Sequence, residues 1–234
     1  MSRIFFDAKR KKTIYYLNTD FNTLEKIMII RQIPVTGMIT TNAYFYIDEA
    51  TKHGFLIDAG AEADKLLKII ADNDWIIEKI LLTHGHFDHI GAVNAVQKAL
   101  NIPCIANSRD YLLNPQLNLS AWFGPDITVE KSETLTADAE IALNAAPNVR
   151  LKMIATPGHT QDAIIYYDAE NHLAFVGDTI FKHSRGRTDI PGGDDEQLLQ
   201  SIITEILTLP DDTVLYSGHT EPTTVKAEKR FYDL

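Results

Sequence analysis

The sequence predicts an α+β protein in which two mixed β-sheets pack face to face with helices on the outside. Three observations carry that expectation. Strand-like segments mostly precede helix-like ones, and the hairpins between them are too frequent for a purely parallel, doubly wound sheet. The order strand, polar loop, helix occurs in both halves of the chain. The 234 residues, 45% apolar and 23% charged, suffice for a sizeable buried core and exclude disordered and fibrous classes.

Residues 1–27 show no sustained period of 2 or 3.6 and carry the basic run Lys9-Arg10-Lys11-Lys12. They are expected to be an N-terminal arm, either an extra strand or a stretch ahead of a true start at Met28. Residues 28–234 read as one domain. Met28 opens the strand-like Ile29-Ile30-Arg31-Gln32-Ile33-Pro34-Val35, and strands are expected over 42–48 and 54–58, joined by a polar turn at 49–53. Leu66, Leu67, Ile69 and Ile70 predict an amphipathic helix over 61–73, and the apolar content of 75–83 a buried strand. Ile90, Val93, Val96 and Leu100 share one face of a helix over 89–100, followed by a short strand at 103–106. The weakly periodic stretch 109–148, punctuated by Pro115, Gly124, Pro125 and Pro147, is expected to hold a short helix, a loop and one or two edge strands. A strand over 149–155, a hairpin of 163–168 with 172–176, and a helix over 195–209 capped by Asp194 come next. The last expected strand, 213–216, runs into Ser217-Gly218-His219.

A formal net charge of −10 argues against a nucleic-acid or anionic-membrane surface, since phosphate contacts need clustered positive charge. No apolar run is long enough to cross a bilayer, and the N-terminus lacks the pattern of a secretory signal, so a cytoplasmic protein with a small-molecule substrate is expected. The single cysteine, Cys104, excludes an intrachain disulfide and multi-cysteine metal sites, and its apolar strand predicts burial. Oligomeric state is left open.

Chemistry concentrates in Thr83-His84-Gly85-His86-Phe87-Asp88-His89, at a strand-to-helix junction. In extended backbone, residues two apart point the same way, so His84 and His86 can converge on one ion, while the turn presents Asp88 and His89 to a neighbouring position. Imidazole with carboxylate and no thiolate suits zinc, iron or manganese. His159, Asp178 and His219 each follow a glycine at the end of a predicted strand, where the chain can turn tightly.

The T-H-x-H-x-D-H run, followed by G-H, G-D-T and S-G-H, resembles the metallo-β-lactamase superfamily from about Met28 onward. The segment Gly186-Arg187-Thr188-Asp189-Ile190-Pro191-Gly192-Gly193-Asp194 resembles the small, single-domain relatives of hydroxyacylglutathione hydrolase (glyoxalase II). The resemblance implies a four-layer αβ/βα sandwich with two divalent metal ions at the seam between the sheets, zinc expected and iron or manganese admissible. It implies that His84, His86 and His159 hold the first ion, that Asp88, His89 and His219 hold the second, and that Asp178 bridges them. Asp58 matches a position that orients ligand imidazoles through a hydrogen bond.

The implied activity is hydrolysis of a small-molecule ester or thioester. Two ions sharing a water lower its pKa from ~15.7 toward ~7, making a metal-bridged hydroxide available, with Asp88 as the catalytic residue that hydrogen-bonds it. A thiol leaving group with pKa ~8.5 needs little proton assistance. The residues depart from neighbouring branches. The commonest zinc β-lactamases carry a ligand cysteine near the position of Asp178, and flavodiiron relatives replace the second histidine of the motif with Glu, whereas His86 is intact. Residues 220–234 are too few for the C-terminal helical domain of glyoxalase II, and Arg187 and Asp189 stand where its glutathione-holding Lys and Tyr are expected. Arg185 and Arg187 are candidate contacts for a substrate carboxylate, with pairing to a nearby acid such as Asp189 as the alternative for Arg187. The rival reading is a persulfide dioxygenase on the same scaffold, with one Fe(II) on His84, His159 and Asp178.

Overall fold

A computed structural model describes residues 3–7, 12–16, 27–123 and 126–232. The elements in order are β1 Arg3–Asp7, β2 Lys12–Tyr16, β3 Ile27–Thr36, β4 Thr40–Asp48, β5 His53–Ile57, α1 Ala63–Asp72, β6 Ile76–Leu81, α2 Phe87–Ile90 and α3 Val93–Leu100. β7 Cys104–Ala106, α4 Asp110–Leu113, α5 Ser120–Phe123, β8 Glu133–Thr134, β9 Glu140–Ala142 and β10 Arg150–Ala155 follow. The C-terminal part holds β11 Ile164–Asp168, β12 Leu173–Gly177, β13 Ile180–Phe181, β14 Ser184–Arg185, α6 Asp195–Ser201, β15 Val214–Ser217, β16 Thr223–Thr224 and α7 Val225–Phe231.

One sheet runs β1 to β8 in chain order, and the second runs β16-β15-β12-β11-β10-β9, while β13 and β14 form a separate hairpin. Strand direction places the site. β5, β6 and β7 are parallel to one another, and in the second sheet β12 is parallel to β15 while β10 reaches β12 through two antiparallel pairings. The carboxyl ends of β10, β12 and β15 therefore share one edge.

Four layers follow from where apolar side chains go. Alternate residues of β4 divide between two cores: Tyr44 and Tyr46 face the other sheet, packing with Phe175, Met153 and Tyr166, while Phe45 and Ile47 face the outer layer of α1 and α3. The second sheet mirrors this, with Ile165, Ala174, Val176 and Leu215 turned outward onto Leu198 and Ile202. Both faces of the central strands are thus buried, so they read as apolar runs rather than clean alternation. Each such Leu, Ile or Phe contributes roughly 1.5–3 kcal/mol.

The structure corrects several expectations. The helix expected over 89–100 starts earlier and divides into α2 and α3 around Gly91 and Ala92. Asp194 caps α6 by accepting from the Gln197 amide, but past Ser201 the helix widens into a π-helical turn, Ile202–Ile206, where the Thr204 hydroxyl donates back to the Gln200 carbonyl. Strand β15 is not the last element: β16 and α7 follow it. These two, and the β13–β14 hairpin, are too short or too polar to leave a hydrophobic period. Residues 12–16 pair as a strand onto β3 and residues 3–7 onto 12–16, and the rest of the expected arm, with most of its basic run, lies outside the described residues.

Candidate metal centre

Five of the seven expected ligands follow the carboxyl end of a strand, His84 and His86 after β6, His159 after β10, Asp178 after β12 and His219 after β15, and the other two, Asp88 and His89, lie on α2. The two sheets are stitched together beside them. The Ile164 amide donates to the Thr83 carbonyl, the Asn42 amide to the Gly218 carbonyl, and the Tyr44 hydroxyl to the Ser217 carbonyl. Folding the sandwich therefore carries four separate loops to one seam.

Two triads form there. His86 Nδ1 lies 3.1 Å from His84 Nε2 and 2.9 Å from His159 Nε2. The second triad is Asp88, His89 and His219, with His219 Nε2 at 3.3 Å and His89 Nε2 at 3.6 Å from Asp88 Oδ2. Asp178 stands between them. Its Oδ1 is 3.4 Å from His89 Nε2, and its Oδ2 is 3.1 Å from His219 Nε2 and 3.6 Å from His159 Nε2.

Outward-facing nitrogens are anchored, which orients the rings. His89 Nδ1 donates to Asp58 Oδ2 at 2.9 Å, His159 Nδ1 to the Arg187 carbonyl at 2.7 Å, and His219 Nδ1 to the Thr40 carbonyl at 2.9 Å. His84 Nδ1 is 3.1 Å from Thr83 Oγ1, whose own proton goes to Asp58. Each of these four histidines thus turns Nε2, the nitrogen left to ligate, toward the seam. Asp58, which also accepts from the Thr83 amide, locks two of them at once.

The electrostatics suit cations. Burial and neighbouring imidazoles push His84 far below its ordinary range and His86 down to about 3, and burial lowers His159, so the first triad is neutral and able to ligate. In the second triad burial opposes charge, yet the surrounding carboxylates Asp88, Asp178 and Asp58 raise His89, and Asp178 and Asp88 raise His219 to about 10. Burial also works against Asp88, but His89 and His219 hold its carboxyl at about 2. A proton there occupies the place a metal cation would take. The donor set fits divalent ions: His89 Nε2 and Asp178 Oδ1 are buried, face the seam and have no hydrogen-bond partner.

The glycines ahead of the ligands act in two ways. Gly158 and Gly177 have φ of 138° and 49°, as tight turns require. Gly218 instead makes room, since a Cβ there would sit 2.2 Å from Asp178 Oδ1.

Residues 36–219 match the model of the metallo-β-lactamase superfamily. The chain belongs to that superfamily. Hydroxyacylglutathione hydrolase GloC of Haemophilus influenzae is 33% identical over 214 residues, covering 87% of this chain and 96% of that protein. The crystal structure of BLEG-1 B3 metallo-β-lactamase is similar with a TM-score of 0.81 and 36% identity, over 86% of this chain and 96% of that one. A structure of TTHA1623 in a di-iron-bound form gives a TM-score of 0.73 and 32% identity, over 85% and 98% of the two chains.

In this metallo-β-lactamase superfamily chain the arginines do not stand free. Arg187 forks on Asp189 at 2.7 and 2.8 Å, and Arg185 donates to both oxygens of Asp195 at 2.9 Å. Three site residues carry no sequence motif. Thr41 donates to Asp88 Oδ2 at 2.7 Å, Thr40 contributes only its carbonyl, and Asp162 is buried nearby with its carboxyl pushed up to about 7 by desolvation. Cys104 is buried and belongs to none of the donor clusters at the seam. No helix among the described residues is long and apolar enough to cross a membrane.

Proposed function

We propose that this metallo-hydrolase superfamily member hydrolyses small-molecule esters or thioesters at a centre of two divalent ions. In this reading His84, His86 and His159 hold one ion, Asp88, His89 and His219 the other, and Asp178 spans both. The observation that supports it is Asp178 itself, whose two oxygens lie within 3.1–3.6 Å of donors from both triads. Resemblance to GloC over nearly the whole of both chains supports the thioester class.

Bound ions would acidify a water between them and polarise the substrate carbonyl. The chain supplies the rest. Asp88 stays ionised, takes the Thr41 hydroxyl's hydrogen bond on Oδ2, and as an acceptor beside the centre would orient the attacking water. Asp58 and the Arg187 and Thr40 carbonyls keep the rings from rotating. The thiol leaves without a dedicated acid, consistent with its pKa of ~8.5.

The test is metal content of anaerobically purified protein together with turnover of a thioester panel. Close to two ions per chain and thioester hydrolysis, both lost in Asp178→Ala, are expected. One iron per chain with oxygen uptake on glutathione persulfide would overturn the hydrolase in favour of a mononuclear dioxygenase.

A further inference from the structure

In front of the two triads lies a cavity of about 350 Å³ whose floor includes His86, Asp88, His159, Asp178 and His219. Its walls are unlike the floor. On the side of the first triad, Phe87, Leu119, Phe123 and Ile190 form a small apolar cluster separate from the three main cores. On the side of the second, Phe181 stands edge-on to His219 at 5.9 Å between ring centroids, and Ile39 lies next to the residue whose carbonyl holds His219.

Folding alone accounts for part of this wall. Phe87, Leu119 and Ile190 are nearly buried and plug the loop that carries them. It does not account for Phe123, which stays half-buried while stacked on Phe87 at 5.0 Å, nor for Ile39, which is 41% exposed. These side chains leave apolar surface in water beside a reacting centre, where a ligand can cover it. The cationic side chains in the same wall, Arg185 and Arg187, are already forked on Asp195 and Asp189. A substrate carboxylate arriving there would meet two neutralised ion pairs and the acids that neutralise them.

We infer that the wall selects the acyl portion of the substrate: the chain hydrolyses thioesters or esters of apolar acids, aliphatic or aromatic, in preference to thioesters of a charged thiol such as glutathione. The inference rests on the hydrolase reading above and deepens it. The reaction adds water across the acyl–sulfur bond: the water oxygen joins the acyl carbon, the C–S bond breaks, and a carboxylate, a thiol and a proton are released. The wall forms around the acyl chain in its folded arrangement, so burial is converted to rate with little reorganisation. Each methylene covered should raise kcat/KM about threefold to fourfold.

The experiment compares the metal-loaded enzyme on N-acetylcysteamine thioesters of acetate, butyrate, hexanoate and octanoate, with S-lactoylglutathione as the charged-thiol substrate. The expected result is a steady rise in kcat/KM at least to hexanoyl, which exceeds S-lactoylglutathione. Phe123→Ala should flatten the rise with chain length, and Phe123→Leu should restore most of it, which a merely structural role would not do. A flat or falling series, or a preference for S-lactoylglutathione, overturns the substrate class while leaving the hydrolase standing. Calorimetric titration with hexanoate and acetate separates the two failures when no thioester is turned over. Tighter hexanoate binding then upholds the apolar wall and rejects the reaction, and equal binding rejects both.

Discussion

Replacing Asp58 by Asn tests the geometry of the centre with almost no change of shape. Asp58 sits at φ 53°, in the left-handed region that Asn tolerates, so the backbone is not strained; Asp58→Ala would add about 1–2 kcal/mol from that source alone. The carboxylate takes hydrogen bonds from the Thr83 amide on Oδ1, and from the Thr83 hydroxyl and His89 Nδ1 on Oδ2. An amide has two ways to sit there, and each loses something. With its NH2 toward the Thr83 amide, two buried donors face each other at a cost of ~1–3 kcal/mol. With its NH2 toward His89, the imidazole must accept at Nδ1, and its proton moves to Nε2, which points at Asp88 and Asp178. That tautomer cannot ligate, and loss of such an orienting partner weakens metal binding about 10–100-fold, or ~1.4–2.7 kcal/mol. The assay pairs a chelator-competition titration, which reads affinity for the second ion, with thermal unfolding. The expected result is weaker binding of one ion with near wild-type binding of the other, a lower melting temperature, or both. An Asn variant that keeps both metal affinities and the wild-type melting temperature would refute the role given to Asp58.

Gly218→Ala places a methyl 2.2 Å from Asp178 Oδ1 and 2.8 Å from His89 Cε1, so the bridging carboxylate or the ring must shift. Loss of the second ion and a drop in kcat/KM of about a hundredfold are expected; a fully active variant with two ions would show that the seam has slack. Asp162→Asn is expected to change the pH dependence of stability. The folded carboxyl titrates at about 7 against 3.8 in the unfolded chain, so between about pH 4 and 7 the unfolded state ionises first and wild-type stability falls as pH rises, by about 4 kcal/mol in total. Denaturation in the presence of chelator should show the variant gaining on wild type over that window, and a constant difference from pH 4 to 8 would remove the buried-acid account.

The histidine-rich run was legible because its ligands are local. His84, His86, Asp88 and His89 lie on a strand end and the helix that follows, so extended-backbone geometry and a single turn already bring them together. Strands and helices of the two main sheets were readable from periodicity, because their apolar faces are built to bury against a partner layer. The break between α2 and α3, the π-helical turn, and the elements β13, β14, β16 and α7 left no period to read.

Tertiary structure alone decided the rest. Asp178 meets His159, His89 and His219 only because β10, β12 and β15 run the same way and the Thr83 and Asn42 backbone bonds close the seam. Between the two readings the sequence left for Arg187, substrate contact or pairing with a nearby acid, the fold takes the pairing with Asp189, and Arg185, a candidate substrate contact, is forked on Asp195. The apolar wall is assembled from positions 39, 87, 119, 123, 181 and 190, which are scattered along the chain and share no sequence pattern. A side chain's chemistry is written in the sequence; whether its surface meets another side chain or an open cavity depends on long-range packing, which no local pattern records.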